Sequence, residues 1–174
     1  MSEVVGSIPG QIVASLSAEV GTSATIRELI IRQIVARLET IRTASGYNTD
    51  LGNNVNRVQR FYHGMELPAC SPYALTETAE NTTYGMVKCT MPVRVEAFAL
   101  FGSVNPAVIS EQMLGDLIKC LTAPSWTRSP EYISDLRYIG GGSEEYPESE
   151  DTVVGTHADF IVVYETENGD PYSQ

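Results

Sequence analysis

Chemistry in this chain would have to come from three cysteines, two histidines and a large excess of carboxylates. Cys70, Cys89 and Cys120 are odd in number and widely spaced. They form neither a disulfide framework nor a C-x-x-C pair, and are expected to be reduced thiols, two of them (Cys89 and Cys120) on apolar faces. His63 and His157 lie far apart, with no third residue at metal-ligand spacing, so they read as two unrelated histidines. Glu144, Glu145, Glu148, Glu150 and Asp151 could hold a hard cation. The run lacks the alternating register around a fixed glycine turn that a dedicated calcium loop uses, so a solvated loop is expected. Gly140-Gly141-Gly142 is glycine-rich like a phosphate loop, but no lysine accompanies it and acids follow at once. It reads as a flexible hinge. None of the serine-nucleophile, zinc-protease, P-loop or dinucleotide motifs occurs. The expectation is a protein that is not an enzyme and takes no cofactor or metal.

The elements that would position these residues follow from length and pattern. The chain has 174 residues, 43% of them hydrophobic, with a formal net charge of −11. That is enough for one domain with a real core, and the acidity argues against a nucleic-acid-binding role. No stretch approaches a membrane span, and residues 1–22 lack the basic start and apolar run of a secretory signal. Residues 1–24 read as an extension or arm, with a short helix possible over 11–20, and residues 25–174 as a single domain.

Thr25 and Glu28 have the spacing of a capping box. Ile30, Ile34, Leu38 and Ile41 continue as a helical stripe, expected to stop near Ala44 with Gly46 as its left-handed cap. Gly46 to Asn54 is turn-rich. Val55–Tyr62 reads as a strand. Leu67–Glu77 reads as a weaker one that Pro68 and Pro72 confine to an edge or make irregular, and residues 80–83 as a hairpin loop. Tyr84–Phe101 alternates most clearly, with Pro92 marking an edge or a bulge. Asn105-Pro106 opens a second helix bearing Ile109, Met113, Leu117, Cys120 and Leu121 on its apolar side. Strands over 132–139 and 153–166 complete the set, and Trp126 reads as packing. The predicted class is α+β: an antiparallel or mixed β-sheet with two main helices packed on one face.

Charge is unevenly placed. Residues 131–174 hold eleven acids and one base, Arg137, whereas residues 25–60 hold six arginines and three acids. Opposite patches of this kind could let copies dock head to tail.

The helix over 26–42 running into Ala44-Ser45-Gly46-Tyr47-Asn48-Thr49-Asp50-Leu51-Gly52-Asn53-Asn54-Val55, then Glu66-Leu67-Pro68, the strand 91–97, the helix 105–121 and the ending Val163-Tyr164-Glu165-Thr166 to Gly169-Asp170-Pro171-Tyr172 resemble the tail terminator proteins of long-tailed bacteriophages. The Gly-Tyr-Asn-Thr-Asp-x-Gly segment is the most specific piece. Cys70-Ser71-Pro72 departs from the pattern, where an apolar strand is expected. The resemblance implies a homohexameric ring, a virion component assembled in the host cytoplasm. The ring would cap the tail tube, stop its polymerisation and offer a surface to a neck or head-completion protein, with DNA passing through an acidic lumen without specific binding. Under this reading Arg57, Arg60 and Asp50 are interface candidates. The alternatives are a neck or head–tail joining protein and, from another class, a small hydrolase or cation-binding domain using residues 144–151.

Overall fold

The computed structural model describes residues 24–57, 67–127, 131–143 and 152–174. Helix α1 spans Ile26–Leu38 and helix α2 spans Pro106–Thr122, with a short turn of helix, α3, at Pro124–Thr127. The strands are β1 (Ala69–Ala74), β2 (Thr78–Asn81), β3 (Met86–Leu100), β4 (Asp135–Ser143) and β5 (Val153–Glu167). They form one sheet in the order β1-β3-β5-β4, with β2 also paired to β3, and every pairing is antiparallel. The fold is α+β, as predicted.

Period-two alternation in β3 and β5 sends Cys89, Met91, Val93, Val95 and Ala97 to the same side as Tyr164, Val162, Phe160, Ala158 and Thr156, their cross-strand partners. That face is buried. It meets the α1 stripe of Ile26, Ile30, Ile31, Ile34 and Leu38, and the α2 stripe of Met113, Leu117, Cys120 and Leu121. Each large aliphatic or aromatic side chain removed from water here contributes about 1.5–3 kcal/mol. The α2 helix lies over β4 and β5, and α1 against β1 and α2. Asn105 caps α2 by accepting the Ala107 N–H at 2.9 Å, with Pro106 in the first turn. The start of α1 is tied to the end of the chain, because the Ile26 N–H donates to the Pro171 carbonyl at 2.9 Å.

Several expectations are corrected. Thr25 accepts the Glu28 N–H at 3.2 Å, but the Glu28 carboxylate turns to arginines instead of closing the capping box. Helix α1 stops at Leu38, and Gly46, at φ +82°, caps the separate 3-10 turn Thr43–Ser45. Of the strand expected over Val55–Tyr62, Val55 makes an isolated bridge to Cys70 and residues 58–62 lie outside the described set, which leaves that part of the expectation where it stood. Glu80 and Asn81 belong to β2, so the hairpin turn lies at Thr82–Gly85.

Gly140–Gly142 is no hinge. It is the ladder-bonded end of β4, opposite Asp159, Ala158 and His157. A Cβ on Gly141 would strike the His157 carbonyl and come within 3.0 Å of the Ala158 Cα, so the glycine is what lets β4 lie this close to the β5 backbone, with Leu114 of α2 at 3.1 Å beside it. The acidic run 144–151 lies outside the described residues.

Pro92 occupies a central strand, not an edge. Its missing donor faces the break between β1 and β2, where Ala74 pairs Val93 and Thr78 pairs Thr90, so the edge side carries one residue more than β3. The bulge expected at this proline is therefore on its partner. The Leu75 N–H donates to the Pro92 carbonyl at 2.8 Å, and the Leu75 carbonyl, which Pro92 cannot serve, accepts from Arg27 at 3.0 Å.

Candidate interaction surface

Two of the three predicted interface residues are used within their own chain. Arg57 forks onto the Glu28 carboxylate, Nη1 to Oε1 at 2.7 Å and Nη2 to Oε2 at 2.8 Å, and Arg32 joins the same carboxylate at 2.8 Å. These guanidiniums hold the Glu28 carboxyl below its ordinary range. Asp50 accepts from the Thr43 N–H at 2.8 Å and the Thr43 hydroxyl at 3.0 Å, bracing the 3-10 turn. Arg60 lies outside the described residues. Arg37 donates to the Cys120 carbonyl at 3.0 Å, so this arginine too is used within its own chain. Arg27, Glu28 and Arg57 line one side of a cleft of about 490 Å³, with Pro72 and Tyr73 opposite.

The Gly46–Asn54 segment, expected to be turn-rich, is built around a residue that sequence reading passed over. Asp116, fully buried on α2, accepts from the Asn48 N–H (2.9 Å) and Nδ2 (3.0 Å) and from the Thr49 N–H (2.7 Å) and hydroxyl (2.8 Å). Its signal was in view: an acid inside the apolar stripe, three residues after Met113 and four before Cys120. A carboxylate there must find donors or destabilise the fold. Lys119 adds a bond to the Gly46 carbonyl at 2.6 Å and lies 4.8 Å from the centre of the Tyr47 ring. Gly52 completes the clasp, since a Cβ there would lie 2.6–2.7 Å from the Glu39 and Leu38 carbonyls.

No helix among the described residues covers the second face of the sheet. It carries a band of paired polar groups. Arg94 forks onto Asp159 at 2.7 and 2.8 Å, and Tyr73 donates to Glu96. Arg94 holds the Asp159 carboxyl below its usual value. His157 stands opposite Glu96.

Nucleophile chemistry finds little here. Cys70, Cys89 and Cys120 are free and buried, and burial pushes all three thiols above their ordinary pKa. Among the described residues no group of three or more His, Cys, Asp or Glu could hold a metal ion.

Among the described residues, large apolar side chains are exposed at several places, Leu75, Ile139 and Tyr172 among them. Tyr84, at the tip of the β2–β3 hairpin, is 98% exposed. Leu100, Val104 and Val108 are exposed at 58%, 51% and 47% where β3 leads into α2. Beside Val108 runs a groove of about 450 Å³ lined by Asn48, Ala107, Glu111, Gln112 and Gly115. These are the surfaces at which another protein could gain contact area.

No protein-family model matches this chain, and no curated protein matches it.

Proposed function

We propose that this chain is a phage tail terminator: a ring-forming structural protein that caps the tail tube, halts its growth and presents a joining surface to the neck. The observation that carries the reading is the Gly46–Gly52 clasp. The stretch most specific to the resemblance is not a solvent loop but the joint that locks the end of α1 to α2 through Asp116. Residues that carry a shared architecture are expected at such a joint. Two further features support it. Among the described residues no helix covers one face of the sheet, and apolar side chains are exposed at both ends of β3. Subunits of a closed ring need two different contact patches, one for each neighbour.

The test is inactivation of the gene in its parent phage, followed by electron microscopy. Overlong tail tubes, restored to normal length by the gene supplied in trans, are expected. Tails of normal length that fail to join heads would instead make this a neck or head–tail joining protein. Unaltered particles would remove it from virion assembly.

A further inference from the structure

We propose that Asn168 and Gly169 are a site of self-modification: they close into a succinimide that opens to aspartate or isoaspartate, and the isoaspartate form loosens the strap that ties the end of the chain to α1.

Asn168-Gly169 is the one Asn-Gly pair in the sequence. The Asp170 N–H donates to the Glu167 carbonyl at 3.1 Å and Gly169 has φ +84°, so the pair forms the middle of a tight turn of type II pattern. Both residues are exposed. Among the described residues neither the Asn168 side chain nor the Gly169 N–H has a hydrogen-bond partner. A Cβ at Gly169 would meet nothing within 4 Å, so the turn has room to move. The peptide between the two must rotate to bring its nitrogen to the side-chain amide, and glycine accepts φ of either sign.

Asparagine is a thermolabile residue, and the chemistry here needs only water and hydroxide. Hydroxide takes the Gly169 N–H proton, and the nitrogen bonds to the Asn168 Cγ. The Cγ–Nδ2 bond breaks, and the amide leaves as ammonia after taking a proton from water, which regenerates the hydroxide. Water then opens the ring. Cleavage between the nitrogen and Cγ gives aspartate, whereas cleavage between the nitrogen and the Asn168 main-chain carbonyl carbon gives isoaspartate. No electrons are transferred.

Most other asparagines lack these conditions. Asn48 donates through Nδ2 to buried Asp116, and Asn105 precedes Pro106, whose nitrogen has no proton to lose. The N–H that follows Asn53 is held by the Leu51 carbonyl at 3.3 Å. Asn54 and Asn81 precede β-branched Val55 and Thr82, which crowd the attacking nitrogen.

The turn carries the strap. The Asn168 N–H donates to the Gly85 carbonyl at 2.7 Å and the Glu167 N–H to the Ser173 carbonyl at 3.0 Å. The Asp170 carboxylate accepts the Tyr172 N–H and the Ser173 hydroxyl, both at 2.9 Å. Between them lies the Pro171 carbonyl that receives the Ile26 N–H. Either product adds a carboxylate between Glu167 and Asp170. Isoaspartate also runs the main chain through Cβ and Cγ, which inserts an atom into a turn whose two ends are bonded together. That insertion displaces Pro171 from Ile26.

The test ages the full folded chain in warm, mildly alkaline buffer and follows it by tryptic mass mapping. Residues 138–174 form a single tryptic peptide whose only asparagine is Asn168. That peptide is expected to gain about 1 Da before any other, with isoaspartate read by isoaspartyl methyltransferase labelling. Asn168→Gln is expected to leave it unmodified, and Gly169→Ala to slow the gain at least tenfold. In hydrogen exchange, the Ile26 amide of the isoaspartate form is expected to exchange at least fivefold faster than in fresh protein, and that of Asn168→Asp at the fresh rate. No gain in that peptide, a gain there after other peptides, or a gain that persists in Asn168→Gln would overturn the modification. An Ile26 amide unchanged in the isoaspartate form would overturn the loosened strap.

Discussion

The Asp116 carboxylate accepts both the backbone N–H and the hydroxyl of Thr49, at 2.7 and 2.8 Å, from a fully buried position on α2. One side chain thereby fixes how two helices far apart in sequence meet. Its removal would leave the Asn48 and Thr49 donors without their acceptor.

Asp116→Ala is accordingly expected to lower stability by about 3 kcal/mol or more, as several donors lose their acceptor together. For a domain of this size that is a fall in Tm of roughly 6–12 °C. Asp116→Asn keeps one acceptor oxygen and should lose less. Urea denaturation measures both, and a loss below about 1 kcal/mol for the alanine variant would show that the clasp does not bind the helices.

The three consecutive glycines should respond differently to alanine. Gly141→Ala forces its methyl onto the His157 carbonyl and Leu114 and is expected to lose about 1–3 kcal/mol. Gly140 and Gly142 have open space where a Cβ would be, so alanine at either should be neutral or stabilise by about 0.4–1 kcal/mol through the unfolded chain. Equal effects at all three positions would contradict the close approach of the β5 backbone to Gly141.

Acid should unfold the chain partly through Asp159. Arg94 lowers its carboxyl pKa in the folded state, so the stabilisation is complete above the unfolded value and is lost as pH falls through the folded one. Asp159→Asn should be less stable than wild type at neutral pH by about 1 kcal/mol. It should lose less further stability between about pH 5 and pH 2. Parallel stability–pH curves for the two proteins would remove Asp159 from the acid transition.

Thiol labelling should be slow in the native state. Cys70 and Cys120 are completely buried and Cys89 is 6% exposed, with the thiolate disfavoured at all three. A disulfide reagent at neutral pH is expected to modify Cys89 first and the other two only on unfolding, read by peptide mass mapping. Rapid modification of Cys70 in folded protein would contradict its burial.

Much of the scaffold was legible because it depends on local signals. Asn105-Pro106 announced α2, and the alternation in β3 and β5 gave their core faces residue by residue. The features that were not legible depend on contacts distant in sequence. Glycines 140–142 look like a hinge until the β5 backbone is seen to press on Gly141. Pro92 looks like an edge residue until the gap between β1 and β2 is found beside it. Asp116 was hidden among apolar neighbours, because its partners lie 67 and 68 positions away. Counting charges suggested a basic patch available to neighbours, but counts do not show that Arg57 meets Glu28 and Arg37 meets a carbonyl.

The bond from Ile26 to the Pro171 carbonyl brings the two extremities of the folded unit to a single corner. A circular permutant that joins Gln174 to Ala24 through a short linker, and opens the chain elsewhere, should therefore keep its architecture. A tag attached at Gln174 would emerge beside the start of α1, so labels meant to leave that corner clear belong on another part of the molecule.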